Sequence, residues 1–332
     1  MPLKLNVIGK TDKGLVRKGN EDYLHLDFEN QIFAVCDGMG GHQAGEVASM
    51  MTSEMLDVTF KQFNSALQND TSLSIGKALP VSGDILLKSI RLANRAIYNK
   101  ASQNTDLHGM GTTVVALAFE NNLLSIAHVG DSRAYRIEPK NLVPLTTDHS
   151  WIAEIQKTQN ITEEEASSVV GKNVITRALG VRDTVEVDYS LIKVNVGDKF
   201  LLCSDGLCGY ADDDEIFETV RRNLDNNEKI VDSLIQMAND RGGADNVTIV
   251  VAEVVDIAES NLPEVPVFTL NAESEELLNI EDSWIERIND FVLKKNSDPD
   301  ASVEPPQKKS LLLIFGLFIV AAAIILYFAT SK

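Results

Sequence analysis

Short apolar runs of strand length alternate with longer amphipathic stretches over the first three quarters of the chain. Residues 5–10 and 23–28 read as strands, the second closed by the turn-prone Glu29-Asn30. A helix is predicted over 44–63 and another over 82–103, where Leu86, Ile90, Ala93 and Ile97 recur at helical spacing. The polar stretch 64–81 joins them. Residues 112–119 and 123–129 form a predicted hairpin about Glu120-Asn121-Asn122, and 133–137 with 142–145 a second about Pro139-Lys140-Asn141. Residues 148–180 are polar, with a short helix expected at Thr162, whose hydroxyl and Glu165 suit a capping box. Val185–Val194 alternates as a strand does. Gly197-Asp198 turns the chain into 199–204, helices follow near 213–223 and 228–241, and 246–255 is the last strand. The helices fall in pairs instead of after every strand, so the pattern fits α+β: two stacked antiparallel β-sheets flanked by helices, a four-layer α-β-β-α sandwich.

Past 256 the composition changes. Residues 256–307 carry 13 Asp/Glu against 3 Lys/Arg, a net of −10 out of −19 for the whole chain. The acidity therefore belongs largely to this segment, and with no basic stripe the chain is not a nucleic-acid binder. Leu277, Ile280, Trp284, Ile288 and Phe291 predict an amphipathic helix over about 274–295 inside an acidic linker, 257–310. Residues 311–329 are 19 apolar residues without a charge, enough for a bilayer core of ~30 Å at ~1.5 Å per residue. Lys308 and Lys309 precede this run and only Lys332 follows it, which predicts a single-pass C-terminal transmembrane helix with the domain at 1–256 in the cytoplasm. The N-terminus lacks the apolar core of a signal peptide. Three cysteines without a CxxC pair make neither a disulfide framework nor a zinc site.

The candidate chemistry lies where apolar runs end. Ile32–Cys36 stops at Asp37, followed by Gly38, Gly40 and Gly41. Further runs stop at Asp131 and Asp205, and Asp245-Asn246 stands just before the last strand. One Asp-Gly turn is ordinary. Four carboxylates at strand ends point to a metal site, and an all-oxygen donor set specifies a hard ion, Mg²⁺ or Mn²⁺, not zinc. Two such ions suit phosphate-ester hydrolysis, which also needs a cation for the phosphate, a task for which arginine has the right fork.

Eight motifs then occur in order: TDxGxxRxxNED from Thr11, DGMGGHxxGE from Asp37, GMGTT from Gly109, VGDSR from Val129, DHS from Asp148, TRALG from Thr176, SDGL from Ser204 and ADNVT from Ala244. Together they resemble the metal-dependent PPM (type 2C) Ser/Thr protein phosphatases, bacterial branch, over roughly residues 5–255. The resemblance implies a binuclear Mn²⁺/Mg²⁺ centre, sometimes with a third ion, and hydrolysis of phosphoserine and phosphothreonine on proteins. Asp37 would bridge the ions with the Gly38 carbonyl on one of them, and Asp205 and Asp245 would complete the second. Glu21 and Asp22 would face the first ion, one directly and one through water. Asp131 with Asp205 would hold the third ion, Arg17 would grip the phosphate, Asn246 would support the site, and 148–180 would form a flap. One departure matters: the eukaryotic branch has a histidine where Met39 stands, leaving His42 as the candidate general acid.

His128, in an apolar strand, reads as a core residue and His149 as an anchor of the flap. Cys-dependent phosphatase chemistry is excluded because no cysteine opens a Cys-x5-Arg loop. The reading is a membrane-tethered signalling phosphatase acting on phosphorylated Ser/Thr proteins, opposite a membrane-associated Ser/Thr kinase. The alternative is a catalytically dead scaffold that binds phosphoproteins.

Overall fold

The computed structural model describes residues 3–40, 44–67, 79–159, 174–257 and 268–270. Two antiparallel sheets carry the fold. The first has the order β1-β11-β10-β7-β8, from β1 (Lys4–Asp12), β11 (Val247–Asp256), β10 (Lys199–Cys203), β7 (Arg133–Ile137) and β8 (Leu142–Pro144). The second has the order β12-β9-β6-β5-β3-β2, from β12 (Phe268–Leu270), β9 (Asp188–Lys193), β6 (Leu123–Val129), β5 (Val114–Glu120), β3 (Ile32–Met39) and β2 (Asp22–Asp27), with the short β4 (Gly111–Thr112) pairing β3. Helices α1 (Ala44–Leu67) and α2 (Val81–Gln103) pack on the second sheet, and α3 (Trp151–Gln159) follows β8 along the chain. The one-turn α4 (Asp205–Cys208), α5 (Asp213–Arg221) and α6 (Asn227–Asp240) belong to the first sheet's side.

Strands β10 and β11 show why the central runs are apolar throughout instead of alternating. Phe200, Leu202, Val250 and Ala252 enter the core between the sheets, together with Phe33, Val35, Val115 and Leu117. Their neighbours Leu201, Cys203, Ile249 and Val251 enter a second core under α5 and α6, against Ile216, Ile230 and Leu234. Both faces of the strand are covered, so both parities must be apolar. Phe33–Phe119 and Phe119–Phe200 make edge-on ring contacts across the inner layer, at 6.2 and 5.9 Å.

The elements follow the expected pattern closely, with differences at the ends. Helix α1 runs on to Leu67, beyond the expected stop at 63. Helix α3 occupies residues expected to be polar loop; Trp151 and Ile152 supply its apolar start, and the Ser150 carbonyl accepts the Glu154 N–H. The helix expected at Thr162 and residues 160–173 of the flap lie outside the described residues, as do His42, the amphipathic helix and the span 311–329. Among the described residues no helix is long and apolar enough to cross a membrane. Strand β12 lies in the segment read as acidic linker, yet it pairs with β9, Thr269 opposite Ser190. A three-residue strand without alternation leaves no pattern to detect; only an available sheet edge makes it a strand.

Candidate metal centre

The β2–β3 register puts Asp22 directly opposite Asp37, so two carboxylates share the end of one strand pair. Asp37 then passes into Gly38, whose N–H donates to the Glu21 carbonyl (3.1 Å). A side chain on Gly38 would collide with the Gly45 and Glu21 carbonyl oxygens. Glycine is required here because three backbone segments meet. The Thr113 N–H donates to the Asp37 carbonyl (2.8 Å), which holds the strand end in place.

The first sheet supplies the remaining groups. Asp205 opens α4 immediately after β10, and its carboxyl lies within hydrogen-bonding reach of that of Asp37. Gly206 is pressed so closely on the Asn246 carbonyl that a Cβ would not fit. Asp131 follows β6 in the turn to β7. Asp22 is buried and its Oδ2 accepts from the Ser204 hydroxyl (2.8 Å) and the Thr248 hydroxyl (2.7 Å). Asn246 clamps the loop after β1: its Oδ1 accepts the Glu21 N–H (2.8 Å), and its Nδ2 donates to the carbonyls of Lys13 (2.8 Å) and Gly19 (3.0 Å). Arg17, on that loop, donates through Nη2 to Asp245 Oδ2 at 2.6 Å.

Burial and mutual repulsion leave this set short of positive charge. Burial, and then Asp205 and Asp245 nearby, push the Asp22 carboxyl up to about 7. Burial, Asp205 and Asp148 push Asp131 up to about 7. Asp37 is raised well above the carboxylate range, by burial and then by Asp22 and Asp205. Burial also raises Asp205 and Glu21. The Asp131 Oδ1 is buried without a hydrogen-bond partner. Carboxylates that repel one another and one orphaned carboxylate oxygen fit hard divalent cations, which would supply the missing charge.

All the acidic residues singled out in the sequence, with Arg17, thus gather at one end of the sandwich. Glu21 and Asp22 differ: Asp22 is buried and held by two hydroxyls, whereas Glu21 is half-buried and senses Arg17, Asp245 and Glu46. The supporting hydroxyls of Ser204, Thr248 and Thr113 (whose Oγ1 accepts the Asp37 N–H at 3.1 Å) were not predicted, although each stands within a motif (SDGL, ADNVT, GMGTT).

A second polar cluster lies under the flap root. His128, His149 and Asp188 bring potential ligand atoms within 4.8 Å of one another. Most of their polar atoms are already in use. His128 Nε2 is 2.9 Å from the Thr147 carbonyl, and the two imidazoles stack at 4.5 Å. His149 Nδ1 accepts the Gly130 N–H (3.0 Å), which leaves Nε2–H to face Asp188 Oδ2 at 3.2 Å. Arg177 Nη1 donates to Asp188 Oδ1 at 2.6 Å. Despite partial burial, His149 and Arg177 hold Asp188 well below the usual carboxylate range. This cluster ties His149 and Arg177, near the two ends of the segment 148–180, to β6 and β9, and His128 is the buried core residue expected.

Comparisons with known proteins agree with this geometry. The family model for protein phosphatase 2C matches residues 10–247. The serine/threonine phosphatase stp of Listeria monocytogenes is 38% identical over 248 residues, 74% of this chain and 94% of that protein. Serine/threonine protein phosphatase PstP of Mycobacterium tuberculosis is 36% identical over 257 residues, 76% of this chain and 46% of its own length. The crystal structure of the PstP catalytic domain in complex with two manganese ions superposes with a TM-score of 0.64 at 33% identity, covering 77% of this chain and all of that domain. A sandwich whose strand ends converge on uncompensated carboxylates, with a family model over most of its length, leaves one conclusion: the chain belongs to the protein phosphatase 2C family and is a metal-dependent serine/threonine protein phosphatase.

Proposed function

We propose that the enzyme removes phosphate from phosphoserine and phosphothreonine proteins at the cytoplasmic face of a membrane, opposing a Ser/Thr kinase there. The shortage of positive charge around Asp22, Asp37, Asp131 and Asp205 carries the chemical part. Asp37, the Gly38 carbonyl, Asp205 and Asp245 would hold two Mn²⁺ or Mg²⁺ ions, with Glu21 and Asp22 beside the first and Asp131 with Asp205 at a third. When bound, the ions supply a water of lowered pKa and positive charge for the phosphate oxygens.

The chain's own residues do the rest. Arg17 is half exposed and one Nη engages Asp245; among the described residues its remaining N–H groups have no partner and can take phosphate oxygens as a fork. Asn246 keeps the Arg17 loop at the cleft by its hydrogen bonds to Gly19 and Lys13. Met39 carries no proton for the departing alkoxide; His42 is the proposed donor. The domain arrangement proposed is a catalytic unit at 1–256 extended by β12, an acidic linker to 310, and a membrane span at 311–329 that keeps enzyme and substrate on one surface and so raises their encounter frequency.

The test is phosphate release from a phosphothreonine peptide while Mn²⁺ and Mg²⁺ are titrated, with Met39→His alongside. Metal-dependent release is expected, and a faster Met39→His variant would mark the general acid as under-supplied. No release at any metal concentration would defeat the reading. Fractionation of cells expressing the chain with and without 311–329 tests the location; a soluble full chain would overturn it.

A further inference from the structure

The outer edge of β2 and the middle of α1 enclose a groove of about 460 Å³ outside the metal centre. Its charged lining is Asp27, Glu29, Glu54 and Asp57 against Lys61, which pairs with Asp57 at 2.7 Å. His25 lines it as well. Its Nδ1 shares a hydrogen bond with the Ser53 hydroxyl (2.9 Å), and its Nε2 is buried without a partner in a ring only 5% exposed. A buried imidazole nitrogen left open beside an acidic lining is a recognition element awaiting a hydrogen-bonding ligand.

The strand beside the groove is an edge. Among the described residues β2 pairs only with β3. The Gly38 N–H on the Glu21 carbonyl sets the alternation: Glu21, Tyr23, His25 and Asp27 direct their backbone groups to β3. Those of Leu24 and Leu26 point outward, and among the described residues no loop or turn hydrogen bond reaches them. The Leu24 and Leu26 side chains turn inward onto Gly9. An added strand would therefore hydrogen-bond to Leu24 and Leu26 and lay alternate side chains over the acidic groove. At its other end β2 begins with Asp22, inside the metal centre; Asp27 is five residues on, ~17 Å at ~3.3 Å per residue.

We propose that this edge docks the phosphoprotein substrate as an extended segment added to β2, with a lysine or arginine of that segment in the acidic groove beside His25. The inference rests on the phosphatase reading above and deepens it to a substrate class: phosphoproteins with a basic residue about five positions from the phosphorylated one. Charge complementarity selects this occupant. The chain's own segment 256–307, with 13 acidic and 3 basic residues, is mismatched to an acidic groove, and so is a second copy's.

The test compares two phosphothreonine peptides that differ only by arginine or alanine five residues from the phosphothreonine, on the full chain, on Glu54→Lys/Asp57→Lys and with p-nitrophenyl phosphate as a small substrate. The native enzyme is expected to favour the arginine peptide roughly ten-fold in kcat/KM. The double variant should lose that preference and still turn over p-nitrophenyl phosphate normally. In hydrogen exchange, unphosphorylated arginine peptide should protect the Leu24 and Leu26 amides. Equal kcat/KM for the two peptides, or a preference that survives the double variant, overturns the proposal. So do amides already protected before peptide is added, which would assign the edge to another segment of the chain or to a second copy. If neither peptide nor p-nitrophenyl phosphate is turned over, the phosphatase reading fails instead, and the exchange experiment alone decides the docking.

Discussion

Two polar clusters with metal-ligand residue types differ in one respect: whether the protein balances its own charge. At the strand ends, burial and mutual repulsion raise Asp22, Asp37, Asp131 and Asp205, and among the described residues the buried Asp131 Oδ1 has no hydrogen-bond partner. Under the flap root, Asp188 is held below that range because His149 and Arg177 both serve it. Spacing alone would nominate both as metal sites. The sign of the carboxylate shifts separates them: a site built for a cation leaves its carboxylates frustrated until the cation arrives, and a structural cluster does not.

The largest expected effect comes from breaking the first cluster. Asp37→Asn removes the central charge, and phosphate release should fall by about 1,000-fold or more, since metal charge stabilisation is worth several kcal/mol. Calorimetric Mn²⁺ titration should show weakened binding in the same variant. Native rates with Asp37→Asn would rule out a metal centre at these strand ends. His128→Ala and Asp188→Asn, by contrast, should leave Mn²⁺ stoichiometry unchanged; a lost ion would make the second cluster a metal site after all.

Arg17→Ala should come next. It is expected to raise KM by about ten-fold with a smaller loss in kcat, because one charge-assisted fork to phosphate is lost. An effect confined to kcat would place Arg17 in the chemistry instead of in binding.

Asp188→Asn should destabilise the domain by about 1–2 kcal/mol at neutral pH, a partly exposed pair being worth less than a buried one. Its sign with pH is set by the lowered folded-state value: the stabilisation is present above the ordinary carboxylate range and is lost as pH falls through and below it. Denaturant curves of the native chain and the variant should therefore converge in acid.

The metal centre has the opposite sign. Asp22 and Asp131 titrate at about 7 in the metal-free fold, above their unfolded values. Their protonated forms bind more protons than the unfolded chain between roughly pH 4 and pH 7, so their contribution to stability falls as pH rises across that window. Asp22→Asn should flatten this fall in metal-free protein, as read by thermal unfolding with chelator present. Removal of residues 258–332 should have the smallest effect. It exposes β9 by deleting β12, and a loss of about 1 kcal/mol or less is expected for three residues.

Residues whose chemistry is written in local order were legible before any fold was known. Asp37, Asp131 and Asp205 each terminate an apolar run, and that abrupt change from buried strand to carboxylate signalled a site. The helices at 82–103 and 228–241 were legible because helical period needs only near neighbours. Strand β12 was not, because three residues become a strand only when the edge of β9 is offered to them. Nor was the distinction between Glu21 and Asp22. Adjacent carboxylates look alike in sequence, and only the approach of Ser204 and Thr248 from the other sheet makes Asp22 the buried one.

By itself the sequence determined the sandwich of strand runs and paired helices, the set of acidic residues at strand ends with Arg17, and the apolar stretch at 311–329. Each depends on composition, period or order along the chain, which folding does not alter. The tertiary structure alone decided that Asp22 faces Asp37, that Arg17 rests on Asp245, that His128 Nε2 and both nitrogens of His149 are engaged by the protein itself, and that among the described residues β2 pairs only with β3 on its way past His25. These are contacts between residues as much as 228 positions apart. Charge balance depends on what comes within a few ångströms in space, and no local pattern encodes that.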